Sequence, residues 1–233
     1  MNGRIFLIPV TLGGNDFRQV IPEDVLALTK SLRYFIVENT RSARRYLRLI
    51  DRDFPIDETV FFELNEHTGD SEIGSFLEHV VNGNDIGLMS EAGLPGIADP
   101  GTNLISAAHK KNIKIVPMSG PSSIILALIS AGMNGQNFTF NGYLPVKPGE
   151  REAKLREIEK RSGTGETQIF METPYRAQKM LDSLLSVLKT GTRLCIAADI
   201  TLPTEFIRTK KISEWKKEIP LLNDRLLIFI IQA

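Results

Sequence analysis

Two α/β domains in tandem are the architecture this sequence predicts, and three observations predict it. Short apolar, β-branched runs alternate with longer segments whose apolar residues recur at helical spacing, the pattern of strands linked by helical crossovers. The alternation breaks at the proline- and glycine-bearing PMSGPSS, residues 117–123, and then restarts. The 233 residues suit two domains of ordinary size, and 42% hydrophobic with 24% charged residues is the composition of a globular chain. The boundary falls near Met118–Gly120, giving an N-terminal domain at 1–118 and a C-terminal domain at 119–233.

In chain order, RIFLIPV (4–10), YFIVE (34–38), TVFFEL (59–64), DIGLM (85–89) and IKIVPM (113–118) read as strands. Between them PEDVLALTKSL (22–32), RSARRYLRLI (41–50), SEIGSFLEHVV (71–81) and TNLISAAHKK (102–111) read as helices. In the second half SSIILALISA (122–131) is a helix, followed by helices around Ala153–Arg161 and Arg176–Leu188. FTFNGYL (138–144), TQIFME (167–172), RLCIAA (193–198), TEFIRT (204–209) and RLLIFIIQ (225–232) are the strands there. These run closer together toward the end, so the second sheet is expected to be mixed and partly antiparallel.

Bulk chemistry excludes several classes. Lysine plus arginine equals aspartate plus glutamate at 28 each, so no net field draws the chain to nucleic acid or membrane, although a local patch can still do so. The longest apolar runs are far too short to span a bilayer, and the opening MNGRIFLIPV enters a strand at once, which leaves no room for a signal peptide. One cysteine, Cys195, excludes an internal disulfide framework and suits a reducing cytosol. His67, His79 and His109 are widely separated, so no metal site is expected.

The stretch LMSEAGLPGIADPG (88–101) concentrates special-backbone residues directly after a buried strand. Asp99-Pro100 explains part of it as a helix start, with aspartate capping and proline at the first helical position. The remainder, SEAGLPG, lies at the C-terminal end of a strand, where open α/β sheets bind ligands, and Gly93 and Gly96 allow close approach or positive φ. A rigid turn accounts for the same residues. Gly13-Gly14 in IPVTLGGND makes a similar case without a complete GxGxxG. Glu38 ends the second strand where a ribose-binding carboxylate would lie, or else pairs with Arg41 or Arg44. Glu66 and His67 adjoin in LNEHT, either as a hydrogen-bonded surface pair or as a catalytic dyad. Arg41, Arg44, Arg45 and Arg48 form a basic helix face, readable as solvated surface or as a phosphate contact. METPYR (171–176) follows a strand at another sheet edge.

In their order and spacing, VENTR, NEH, LMSEAGLPGIADPG, VPMSGPSS, FNGYLP and METPYR resemble one family, the tetrapyrrole-methylase-fold methyltransferases. Within it they are most similar to the branch that methylates a ribose 2′-hydroxyl in small-subunit ribosomal RNA. The likeness runs from the first strand to about Leu188. The chain departs from the branch in its first turn, VTLGGNDFRQVIP, in AADITLPTEF where that branch has A-R-E-L-T-K, in Glu91 where aspartate is usual, and in lacking an extra C-terminal segment.

The resemblance implies two α/β domains with S-adenosylmethionine folded into a cleft between them, in a cytoplasmic homodimer. By family position Leu12, Glu91, Gly93, Leu94, Ser122, Ser123, Met171 and Ala198 surround the cofactor. Glu38, Arg41 and Glu66 lie in blocks near the mouth of the cleft and are the catalytic candidates, with no metal required. The implied partner is ribosomal RNA or the small ribosomal subunit. Two other readings keep the fold: a methyltransferase acting on a tetrapyrrole or other small acceptor, and a non-catalytic nucleotide-binding protein. A valine at Gly93 is expected to remove cofactor binding while sparing the fold.

Overall fold

Five short parallel strands form the first sheet of the computed structural model, which describes residues 2–233. They are β1 (Arg4–Leu7), β2 (Tyr34–Val37), β3 (Val60–Glu63), β4 (Ile86–Met89) and β5 (Lys114–Pro117), linked through α1 (Glu23–Ser31), α2 (Thr40–Ile50), α3 (Asp70–Val81) and α4 (Gly101–Lys110). The order is β3-β2-β4-β1-β5. The chain therefore steps outward from β1 to β2 and β3, returns to insert β4 beside β1, and leaves in the opposite direction to β5. Right-handed crossovers in opposite directions put their helices on opposite faces. One face buries Phe6, Ile8, Phe35 and Val37 under Val25 and Leu26 of α1 and Ala43, Tyr46 and Leu47 of α2. The other buries Ile5, Ile36, Ile86 and Leu88 under Ile73 and Leu77 of α3 and Leu104 and Ala108 of α4. Because strand side chains alternate, consecutive residues such as Ile5 and Phe6 serve different cores. Coverage on both sides is why these strands are nearly all apolar.

This unit ends at Ser122, and a second spans Ser123–Ala233. The second contains α5 (Ser123–Ser130), β6 (Phe138–Tyr143), α6 (Pro148–Ser162), β7 (Thr167–Glu172), α7 (Ala177–Val187), β8 (Arg193–Ala198), β9 (Phe206–Lys211), α8 (Ile212–Trp215) and β10 (Leu227–Gln232). Its sheet has the order β6-β7-β10-β8-β9, parallel between β6 and β7 and antiparallel elsewhere. The last strand thus lies at the centre. That explains the unbroken LIFII: Leu227, Phe229 and Ile231 enter the core formed with α6, α7 and Trp215, while α5 also packs against β10.

Several boundaries differ from the sequence expectation for local reasons. The first strand stops at Leu7, since Val10 leaves the sheet to bridge to Gly93 instead. The helix expected from Ala153 begins at Pro148, five residues earlier, with proline in its first turn. The strand expected over TEFIRT is displaced to Phe206–Lys211, because residues 199–205 are held in a turn by side-chain hydrogen bonds of Asp199 and Glu205.

Candidate active site

β1 and β4 are neighbours whose outgoing connections run in opposite directions, so the C-terminal ends of these two strands form the switch point where open α/β sheets hold ligands. The two loops that leave them are tied together. The Val10 amide donates to the Gly93 carbonyl at 2.9 Å, and buried Tyr46 of α2 donates its hydroxyl to the Pro9 carbonyl at 3.2 Å. Burial raises the Tyr46 pKa, which keeps that donor protonated. Gly120 closes against the same loop, for a Cβ there would lie 2.1 Å from the Pro9 Cβ.

Gly93 is buried and left-handed, with φ +71°. A Cβ on it would meet Leu12 Cδ2 at 3.1 Å and the Pro121 carbonyl at 3.3 Å. The expectation that a side chain here would spare the fold is therefore corrected: the added atoms press on protein first. Leu12 is 7% exposed and Leu94 half-buried. Ser122, 8% exposed, ends the first unit.

Carboxylates converge around the end of β4. Glu38 Oε2 accepts the Glu91 amide at 3.2 Å, and Glu91 Oε1 accepts the Ser42 hydroxyl at 3.0 Å. Glu38, Glu66, Glu91 and Asp99 together line one open pocket with Asn39 and Asn65. A second pocket that shares Glu91 is lined by Gly13, Gly14, Asn15, Ser42, Arg45 and Ser90 among others. Glu38 is half-buried, and its pKa is raised, first by desolvation and then by the charges of Glu91 and Asp99, against the lowering effect of the Glu91 amide. It pairs with neither Arg41 nor Arg44. Asp99 is structural, accepting the Gly96 and Gly101 amides at 2.8 Å each and so fixing the turn that starts α4.

The remaining catalytic candidates differ sharply from Glu38. Glu66 and His67 face each other at 3.6 Å with both side chains more than four-fifths exposed, a solvated pair. Arg41 is exposed on α2 and lines neither pocket. The residue that the motif reading missed is Asn39, whose side chain caps α2 by accepting the Ser42 amide at 2.9 Å while lining the Glu38 pocket. An asparagine just before a helical run was the available signal.

In the second unit Ser123 opens α5, and the C-terminal ends of β7 and β8 flank the start of β10. Leu227 pairs with Glu172 on one side and Ala198 on the other, so Met171 and Ala198 lie at one edge of this sheet. Met171 is half-buried. Ala198 is fully buried within the apolar core. Two carboxylates rigidify this edge. Glu172 accepts Arg176 Nε and the Thr173 amide, each at 2.7 Å, fixing the turn of METPYR. Asp199 accepts Arg225 Nε at 2.7 Å, the Thr204 hydroxyl at 3.0 Å and the Leu226 amide at 3.2 Å.

The sequence profile described as Tetrapyrrole (Corrin/Porphyrin) Methylases matches residues 23–216. The chain belongs to this family. It is a methyltransferase with two α/β sheets in the family fold. A Vibrio cholerae protein named Ribosomal RNA small subunit methyltransferase I is 32% identical over 212 residues, covering 90% of this chain and 69% of its own. A protein of the same name from Escherichia coli O157:H7 is 28% identical over 219 residues, covering 93% and 73%. Among solved structures, the methyltransferase CobJ superposes with a TM-score of 0.65 at 16% identity, covering 99% of this chain and 94% of its own. The cobalt precorrin-4 methyltransferase CbiF gives 0.59 at 13% identity, covering 98% and 94%. Identities this low speak to the fold of this family member. Among the described residues no helix is long and apolar enough to cross a membrane, and no group of histidine, cysteine or acidic side chains is placed to hold a metal ion.

Proposed function

We propose that this family member is an S-adenosylmethionine-dependent methyltransferase that methylates a ribose 2′-hydroxyl of small-subunit ribosomal RNA. The observation that carries this reading is the 32% identity, along nine-tenths of the chain, to a relative named for that class of RNA. The site supports it. Leu12, Leu94 and the turn at Gly93 form an apolar wall, and exposed Glu91 beside it offers a carboxylate for ribose hydroxyls or an ammonium group. That donor set fits S-adenosylmethionine, with Ser122, Ser123, Met171 and Ala198 as its further contacts by family position. When bound, S-adenosylmethionine supplies a methyl group activated on a sulfonium sulfur.

The chain's own task is alignment and proton removal. Fixing the two loops through Val10 and Gly93 holds the cofactor wall still, and in-line displacement depends on such positioning. Of the three catalytic candidates, Glu38 has the environment of a base: half-buried, raised in pKa, and with Oε1 left to accept a hydroxyl proton while Oε2 holds the Glu91 amide. Arg41 and Glu66 are exposed.

The enzyme acts as a homodimer in the cytoplasm, where ribosomal RNA is found, and Ile125 and Ile129 of α5, 45% and 71% exposed, are apolar surface suited to association. Light scattering at micromolar concentration is expected to give twice the 26.0 kDa chain mass.

The decisive experiment supplies isotopically labelled S-adenosylmethionine with deproteinised small-subunit RNA and with assembled small subunits, and maps 2′-O-methylation by resistance to alkaline cleavage. A labelled ribose at one position is expected. Label on a corrin or porphyrin acceptor and none on RNA would establish the tetrapyrrole reading instead, and cofactor binding without transfer to either would establish the non-catalytic one.

A further inference from the structure

Helix α2 has two faces of opposite character. Ala43, Tyr46, Leu47 and Ile50 are buried against the sheet, whereas Arg41, Arg44, Arg45 and Arg48 are all exposed. At about 100° per residue the four arginines fall within one stripe roughly 100° wide, diametrically opposite the buried face. No acidic residue occurs between Thr40 and Ile50. Among the described residues none of the four guanidinium groups forms an ion pair with a carboxylate.

A merely solvated helix of this protein looks different. In α6, Lys154 pairs with Glu157 and Arg156 with Glu152 at helical spacing. On α2 the i,i+3 and i,i+4 neighbours are like charges, each such pair costing a few tenths of a kcal/mol. Arg44 is also steadied over the Phe61 ring at 5.3 Å, and Arg48 donates to the Arg52 carbonyl, so part of the stripe is held in place.

The stripe adjoins the candidate site. Arg45 lines the pocket that also contains Gly13, Gly14 and Asn15, and Ser42 on the same helix donates to Glu91. From Arg41 to Arg48 the helix rises about 10 Å, a span over which the long arginine side chains can reach successive phosphates of one strand.

We propose that this arginine stripe, continued by the Gly13–Asn15 turn, is the surface on which the phosphodiester backbone of the acceptor RNA docks. The stripe supplies affinity without sequence preference and lays the strand beside the Glu38–Glu91 edge. The inference rests on the RNA reading above, and names the surface that reading requires in a chain of zero net charge.

The test uses the full-length protein and a fluorescein-labelled single-stranded RNA 20-mer of mixed sequence, titrated by anisotropy between 50 and 200 mM salt. The variant is R44Q/R45Q/R48Q, which leaves the catalytic candidate Arg41 in place. The control is K110Q/K111Q/K114Q, an equal charge change at the opposite edge of the first sheet, where β5 begins. Three lost phosphate contacts are expected to reduce the slope of log K against log salt by about 2 and to weaken binding about a hundredfold at 0.1 M salt. The variant should remain folded, its calorimetric affinity for S-adenosylmethionine should stay at the wild-type value, and the control should bind RNA within threefold of wild type. Unchanged affinity and slope in the arginine variant overturn the inference, as does an equal loss in the control. Methyl transfer to RNA by a wild type whose arginine variant binds unchanged would sink the inference alone. A wild type that binds and methylates no RNA removes the RNA reading as well.

Discussion

Replacing Gly93 separates backbone strain from ligand approach. With φ at +71°, any L-residue sits in the left-handed region, at a cost of about 1–2 kcal/mol, and more for a β-branched side chain. The new Cβ lands 3.1 Å from Leu12 Cδ2 and 3.3 Å from the Pro121 carbonyl. Both are tight contacts, so Leu12 must shift, and a 30° departure from its rotamer costs about 0.5–1.5 kcal/mol. Gly93→Ala should therefore lose about 2–3 kcal/mol. Gly93→Val, with two further methyl groups, should lose about 4, and Gly93→Asn, which tolerates the left-handed region but brings the same Cβ and a longer polar side chain, about as much as alanine. Thermal and denaturant unfolding of the three variants measure these losses, and calorimetry with S-adenosylmethionine is run beside them. If the Gly93 backbone forms a cofactor wall, Gly93→Asn loses affinity at least tenfold while remaining folded and more stable than Gly93→Val. An alanine variant as stable as wild type would refute the strain argument outright. Wild-type affinity in a folded Gly93→Asn would show that Gly93 serves the turn alone.

The other predictions concern single groups. Glu38→Gln should lower kcat by about two orders of magnitude or more, as removal of a general base does, and should abolish the acidic limb of the pH–rate profile. Because the folded pKa is raised, the ionised carboxylate is the disfavoured form: its contribution to stability is present at low pH and is lost as pH rises through the folded pKa. Melting at pH 7 should thus be unchanged or slightly higher in Glu38→Gln, and a fall would contradict the assigned environment. Arg225→Leu leaves Asp199, whose side chain is 11% exposed, without its cation, and chemical denaturation should register a loss of about 3 kcal/mol. Gly120→Ala drives a methyl group into Pro9 at 2.1 Å, and soluble yield and melting temperature should both collapse.

Most of the secondary structure was legible because its causes are local. Helical spacing in RSARRYLRLI and unbroken apolar runs such as LIFII follow from which faces each element buries, and that periodicity is written residue by residue. The motifs also lay at strand ends: SEAGLPG follows β4, and METPYR begins with the last two residues of β7 rather than after it. Asp99-Pro100 was readable as a helix start because the signal needs only its own neighbours, although the helix begins one residue later than expected, at Gly101, with Pro100 at the cap position and Asp99 accepting the Gly101 amide from the turn before it. Where the expectation slipped, a distant partner intervened. Val10 left β1 to bond Gly93, eighty-three residues on, and the start of β9 moved because Asp199 and Glu205 organise the preceding turn.

Determined by the sequence itself, then, were the alternating elements, the all-apolar strands, the positions of the glycine-bearing loops, and the stripe of arginines on α2. Tertiary structure alone decided the insertion of β4 beside β1, the central place of β10, and the surroundings of each candidate residue. Glu38, Glu66 and Glu91 are equivalent carboxylates in the chain. Only packing makes Glu38 half-buried with a raised pKa, leaves Glu66 solvated beside His67, and ties Glu91 to Ser42. The physical reason is that propensity and periodicity act over a few neighbours, whereas desolvation, strand order and charge pairing depend on which distant segments the fold brings into contact.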